Sequence, residues 1–145
     1  MGSQEASASW NGSLKEGNGS FTLPKAGYSG DFSFATRFES ADGTNPEELV
    51  GAAIASCYSM FLSALLTNNG FTNKKITTKA AVTLDRDDMG PVITTIALTV
   101  SADILDITND QFQGYVQEAL EKCPISRLYA AVDKTVAANL LTVSS

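Results

Sequence analysis

The chain has no histidine, and only two of its 145 residues are cysteine, Cys57 and Cys123. Without an imidazole there is no Ser-His or Cys-His arrangement for nucleophilic catalysis. Two thiols also fall short of a four-ligand zinc site. The sulfurs are left with redox chemistry, in which one thiolate attacks and the other resolves, or with no chemistry at all. Arginine is scarce, with only Arg37, Arg86 and Arg127. Ten basic residues against sixteen acidic ones give a net charge of −6. No Lys/Arg stripe compensates, which disfavours a nucleic-acid partner. Residues 1–10 contain neither a basic start nor an apolar stretch, and Ala6 stands where a myristoylation site needs Ser or Thr. The expectation is a soluble chain in a reducing, cytoplasmic compartment, where a disulfide between the two cysteines is transient.

What is present is enough for one folded domain over residues 1–145, because 43% of the residues are apolar. Residues 10–15 and 20–23 flank the turn-rich 16–19 and predict a hairpin. Residues 24–30 predict a loop. Residues 31–39 alternate, with Phe32, Phe34, Thr36 and Phe38 on one face, and predict a strand. A long helix opens at Asn45-Pro46, with Glu48 at the capping-box position, and stops near Asn69-Gly70. Residues 76–84 and 92–100 alternate around an acidic tip and predict a second hairpin. Thr108 and Gln111 open another helix, which ends near Cys123. Residues 124–131 predict a short helix and 132–143 a final strand. This order is α+β.

No charged residue falls between Leu49 and Leu66, and that length meets the minimum for a membrane span, about 18 residues. Gly51, Ala52, Ala53, Ala55, Ser56, Ser59 and Ser63 dilute its hydrophobicity, and patterned strands lie on both sides. The reading is therefore no membrane but a helix buried all round. So small a domain struggles to cover both faces of such a helix, which makes a partner subunit its natural cover.

Local chemistry leaves the site open. Cys57, in the middle of the helix, reads first as a small buried hydrophobe, because a thiolate there needs an imported positive charge. Cys123 either ends one helix or serves as N-cap of the next, with Pro124 at the first position and backbone N–H groups facing the sulfur. Arg37 is either an ordinary strand-surface arginine or a functional one. Glu47 is not needed for the cap and either stabilises the dipole or pairs with a cation. Asp85, Asp87 and Asp88 lack the spacing of a calcium loop and read as a solvated hairpin tip.

The combination is more specific. Thr36-Arg37-Phe38-Glu39, followed by Gly43-Thr44-Asn45-Pro46-Glu47-Glu48-Leu49 and Gly51-Ala52-Ala53 leading to Cys57, resembles the osmotically inducible OsmC proteins, relatives of the organic hydroperoxide resistance proteins. Cys123-Pro124-Ile125-Ser126 resembles the second cysteine motif of that family, and Gly70-Phe71-Thr72 also fits. The resemblance implies a thiol peroxidase for organic hydroperoxides, without metal, haem, flavin or other cofactor. Its fold would be an intertwined α+β homodimer, with antiparallel sheets wrapped around two long buried central helices. It makes Cys57 the peroxidatic and Cys123 the resolving cysteine, Arg37 the activator of the thiolate, and Glu47 the carboxylate that orients Arg37. It also implies an external dithiol reductant, of lipoyl type.

Given those roles, helix geometry adds a constraint. Glu47 and Cys57 lie on one helix, about 15 Å apart along its axis at 1.5 Å per residue. The expectation is that Glu47 reaches each site from the partner subunit, with the long helices antiparallel. Phe38, Tyr58, Met60 and Phe61 are candidate walls of an apolar channel that would favour bulky alkyl hydroperoxides over hydrogen peroxide. Two other classes remain. A protein thiol–disulfide oxidoreductase usually carries both cysteines in one C-x-x-C motif. A non-enzymatic module for apolar ligands would use its cysteines only structurally.

Overall fold

A computed structural model describes residues 2–141; Met1 and positions 142–143 of the final predicted strand lie outside the described residues. The fold is α+β, in two compact units, Met1–Leu49 and Val50–Ser145.

The first unit is an antiparallel meander of β1 (Ser7–Asn11), β2 (Asn18–Leu23) and β3 (Tyr28–Phe32). Its first hairpin differs from the expectation. Gly12, at φ +94°, ends β1, and the connection runs over 12–17, so Asn18-Gly19 lies in the strand and not in the turn. Gly19 sits opposite both Trp10 and Phe32. A Cβ there would come within 2.6–2.9 Å of those two rings, so glycine lets them close over the strand with centroids 5.6 Å apart.

The predicted strand over 31–39 is corrected in the same unit. It stops at Phe32, and Phe34–Phe38 form a short helix, α1. Ser33 caps it: its hydroxyl accepts the Thr36 N–H at 3.2 Å, and the Thr36 hydroxyl accepts the Ser33 N–H at 2.9 Å. Phe34 and Phe38 satisfy both periods, because i and i+4 share a strand face and a helix face alike. In the helix their rings meet with centroids 5.0 Å apart. The following loop returns through Gly43 at φ +137°, and the Thr44 N–H donates to the Asp31 carbonyl. Asn45 then joins two elements: its amide donates to the Thr36 carbonyl at 3.4 Å, and its Oδ1 accepts the Glu48 N–H at 2.8 Å. That N-cap opens the long helix α2 (Pro46–Asn68) as predicted.

The second unit holds the rest of α2, the long hairpin β4 (Thr72–Asp87) and β5 (Gly90–Leu105), then α3 (Asn109–Lys122), α4 (Pro124–Leu128) and β6 (Asp133–Leu140). The hairpin is antiparallel, but β6 pairs with β5 in parallel. The expected antiparallel pairing holds for β1–β3 and for β4 with β5, and β6 departs from it. The chain leaves β5, traverses α3 and α4, and returns in the same direction, the crossover that parallel pairing requires. Ile54, Tyr58, Leu62 and Leu66 of α2 join Ile96, Leu98, Val100 and Ile104 of β5 and Phe112 and Val116 of α3 in one buried core. Each such side chain contributes about 1.5–3 kcal/mol of burial.

By length and composition α2 could cross a membrane. Its burial within this chain is one-sided, short of the all-round burial expected from its apolarity. Glu48, Ala52, Ser56, Met60 and Ala64 recur at every fourth position as an outward stripe, and Met60 is 77% exposed.

Candidate active site

The sulfur chemistry is built where α2 passes the α3–α4 junction. Cys123 is the last residue before Pro124, and a proline at the first helical position breaks α3 and starts α4 at once. The Cys123 N–H still bonds to the Ala119 carbonyl of α3. Its Sγ caps α4, accepting the Ser126 N–H at 3.4 Å. Ser126 is itself buried, and its hydroxyl donates to the Leu120 carbonyl, which fastens the start of α4 to the end of α3. Cys123 has no exposed surface, whereas Cys57 on α2 is half-buried; both are free thiols.

The two thiols face each other. Burial pushes the Cys123 thiol upward, the Ser126 N–H pulls it back, and Cys57 raises it again through its charge and as a hydrogen-bond partner. Beside them, Tyr58 is fully buried and its hydroxyl donates to the Val116 carbonyl at 2.8 Å. Burial, and then the nearby Cys123 charge, push that phenol upward. Tyr58 is thus core between α2 and α3 and offers no wall to a channel. Phe61 lies at the margin of the same core, and Met60 stands on the outward stripe.

The charged pair lies in the first unit. Arg37 on α1 donates from Nη2 to Glu47 Oε1 at 2.7 Å, and from Nε to Oε1 and Oε2 at 3.1 and 3.3 Å. Glu47 is 7% exposed, at the first turn of α2, where the helix dipole also favours its charge. The Arg37 side chain is 36% exposed. The carboxylate occupies the Nε side of the guanidinium and leaves the Nη1 amine outside the pair. The Phe38 ring lies 5.3 Å from Arg37 Cζ and limits the other face. Arg37 and Glu47 are therefore partners within one chain.

An apolar recess of about 280 Å³ adjoins the guanidinium, walled by Trp10, Leu14, Phe32, Phe34, Phe38 and Pro46. Of the predicted walls, only Phe38 belongs to it. The other walls carry little signal in the sequence, because Trp10 and Leu14 lie far upstream and the spacing of Phe34 and Phe38 suits a strand as well as a helix. The Ser33-x-x-Thr36 spacing was the available signal for α1. Among the described residues no cluster of His, Cys, Asp and Glu could hold a metal ion. Asp85 and Asp87 lie at the end of β4 and Asp88 in the turn that follows, and the Asp85 and Asp87 side chains accept the Arg86 and Met89 N–H groups.

Residues 39–136 match the family model described as OsmC-like protein. Over 129 residues the chain is 41% identical to Peroxiredoxin OsmC of Escherichia coli, covering 88% of this chain and 90% of that protein. Among solved structures, the organic hydroperoxide resistance protein OhrB of Bacillus subtilis superposes with a TM-score of 0.74 at 23% identity, covering 93% of this chain and 98% of that one. An organic hydroperoxide resistance protein from Elizabethkingia anophelis gives 0.74 at 19% identity, covering 95% and 99%. Cys57, Cys123 and Glu47 fall inside the matched stretch, and Arg37 lies two residues before it.

Proposed function

The chain belongs to the OsmC family and is a peroxidase, and from that premise we propose that it reduces organic hydroperoxides to alcohols through Cys57 and Cys123. The Cys57 thiolate attacks the outer peroxide oxygen. An S–O bond forms, the O–O bond breaks, and the alkoxide takes a proton and leaves as the alcohol. Cys57 is left as a sulfenic acid. The Cys123 sulfur then attacks Cys57 Sγ, closes the disulfide and expels the hydroxyl group as water. An external dithiol, of the lipoyl type, gives two electrons to that disulfide and restores both thiols.

The observation that supports this reading most is the facing pair of free thiols, which needs no large rearrangement to trap a sulfenic acid. Arg37 supplies the charge that a mid-helix sulfur lacks. Its Nη1 amine, left outside the pair with Glu47, favours the thiolate and holds the peroxide oxygens. The aromatic recess beside Arg37 takes the alkyl group, which favours bulky hydroperoxides over hydrogen peroxide.

The protein acts as a single OsmC-like domain that assembles into a homodimer. Glu47 lies about 15 Å along α2 from Cys57 of its own chain, and Arg37 is held to that same Glu47. The pair from one subunit therefore serves the thiols of the other, and the outward stripe of α2 lies in the interface. The setting is cytoplasmic and reducing, where the disulfide turns over instead of persisting. Cumene hydroperoxide consumption with dithiothreitol tests the reaction: turnover is expected, and Cys57→Ser should reduce it to the uncatalysed rate. Turnover that survives this substitution would overturn the reading.

A further inference from the structure

Opening the disulfide poses a choice that the fold has already biased. A thiolate displaces one sulfur from another in line, entering from the side opposite the leaving sulfur, so access decides which one is attacked. Behind Cys123 lie the end of α3, the start of α4 and the buried Ser126, whose hydroxyl ties the two helices together. Cys123 has no exposed surface, and the core that encloses it includes Tyr58, Val116, Ala119 and Leu120. Cys57, by contrast, is only half-buried on α2.

We propose that the recycling dithiol attacks Cys57 Sγ and never Cys123 Sγ, so that Cys123 serves only as the leaving group when the disulfide opens. The proposal rests on the disulfide cycle described above. In the first step a dithiol thiolate forms a bond to Cys57 Sγ, the Cys57–Cys123 bond breaks, and Cys123 departs with the electron pair. The Ser126 N–H, which bonds to Cys123 Sγ in the thiol form, receives that charge. In the second step the other thiol of the reductant attacks its own bound sulfur and expels the Cys57 thiolate. The reductant leaves as a cyclic disulfide, two electrons poorer. Oxidant and reductant thus reach the protein through one opening, and the interior sulfur meets neither.

A monothiol stops the exchange after the first step and makes the choice visible. The full-length protein is converted to its disulfide form with one equivalent of cumene hydroperoxide and, separately, with diamide. Limiting 2-mercaptoethanol is added, the exchange is quenched after a short interval with excess N-ethylmaleimide, and tryptic peptides are mapped by mass spectrometry. The expected result is mercaptoethanol on peptide 38–74 and maleimide on peptide 123–127, by about tenfold or more over the reverse pattern. Equal labelling, or the reverse pattern, overturns the proposal. A disulfide that forms with diamide but not with peroxide would sink the peroxidase cycle while still reading the choice of sulfur. If neither oxidant forms it, both fall. A second measurement guards against exchange during trapping. Cys123→Ser, which leaves Cys57, should react with Ellman's reagent about tenfold faster than Cys57→Ser, and equal rates would overturn the proposal.

Discussion

At the scale of single residues, Arg37 and Cys123 carry the sharpest consequences. Arg37→Lys keeps a cation beside Glu47 but loses the planar fork and the Nη1 amine. The peroxidase rate should fall about 10²-fold, the size of effect seen when one aligned charge-stabilising donor is removed. Thermal stability should barely move, since a lysine still neutralises the carboxylate at a site more than a third exposed for Arg37. Stopped-flow turnover and a melting curve separate the two effects. Glu47→Gln should cost less, because one amide oxygen still accepts from the guanidinium. Cys123 bears on stability. Its thiol is raised in the folded protein, first by burial, so above about pH 8.5 the unfolded chain loses this proton while the folded chain keeps it. Stability is therefore fully present below that pH and is lost as pH rises toward the folded value. Tyr58 adds the same sign at higher pH. Urea midpoints of the reduced protein should fall between pH 7 and pH 9.5, and Cys123→Ser should flatten the slope.

Among the elements, α1 carries Arg37 and is the least able to hold itself. Five residues cannot sustain a helix unaided, so Ser33 and Thr36 carry its start. Ser33→Ala removes a cap worth about 0.5–2 kcal/mol. Expected is a several-fold loss of peroxidase rate, read by the same turnover assay, with a melting point near that of the parent, because α1 frays without the sheet. How far each element was legible follows from its length and signals. Asn45-Pro46 with Glu48 and a run of apolar residues marked α2 to within a residue or two, and Thr108 with Gln111 did the same for α3. The hairpin of β4 and β5 followed from strict alternation. Residues 31–39 did not, because three phenylalanines at even spacing fit a strand and a helix turn equally, and only the local bonds of Ser33 decide. The parallel pairing of β6 has no local signature, since direction is set by the crossover through α3 and α4. The thiols were legible as a pair by elimination and resemblance, but their burial difference belongs to packing alone.

For the whole molecule, the outward stripe of α2 and the ion pair within one chain point the same way. A helix with Met60 and small residues facing out lacks half of its cover, and small side chains admit a close second backbone. In the proposed dimer the pairing of Arg37 with Glu47 would divide the labour: one subunit would bring the cation and its carboxylate, the other both sulfurs. Inheritance of activity then becomes a matter of complementation. A subunit carrying Cys57→Ser is dead alone, and one carrying Arg37→Lys nearly so. Co-expressed and purified as the mixed pair, they should regain about half of the parental activity, because one of the two sites draws its sulfurs and its guanidinium from the two undamaged halves. Two crippled genes in one cell would in that case make one working catalyst, which no site contained within a single polypeptide can do.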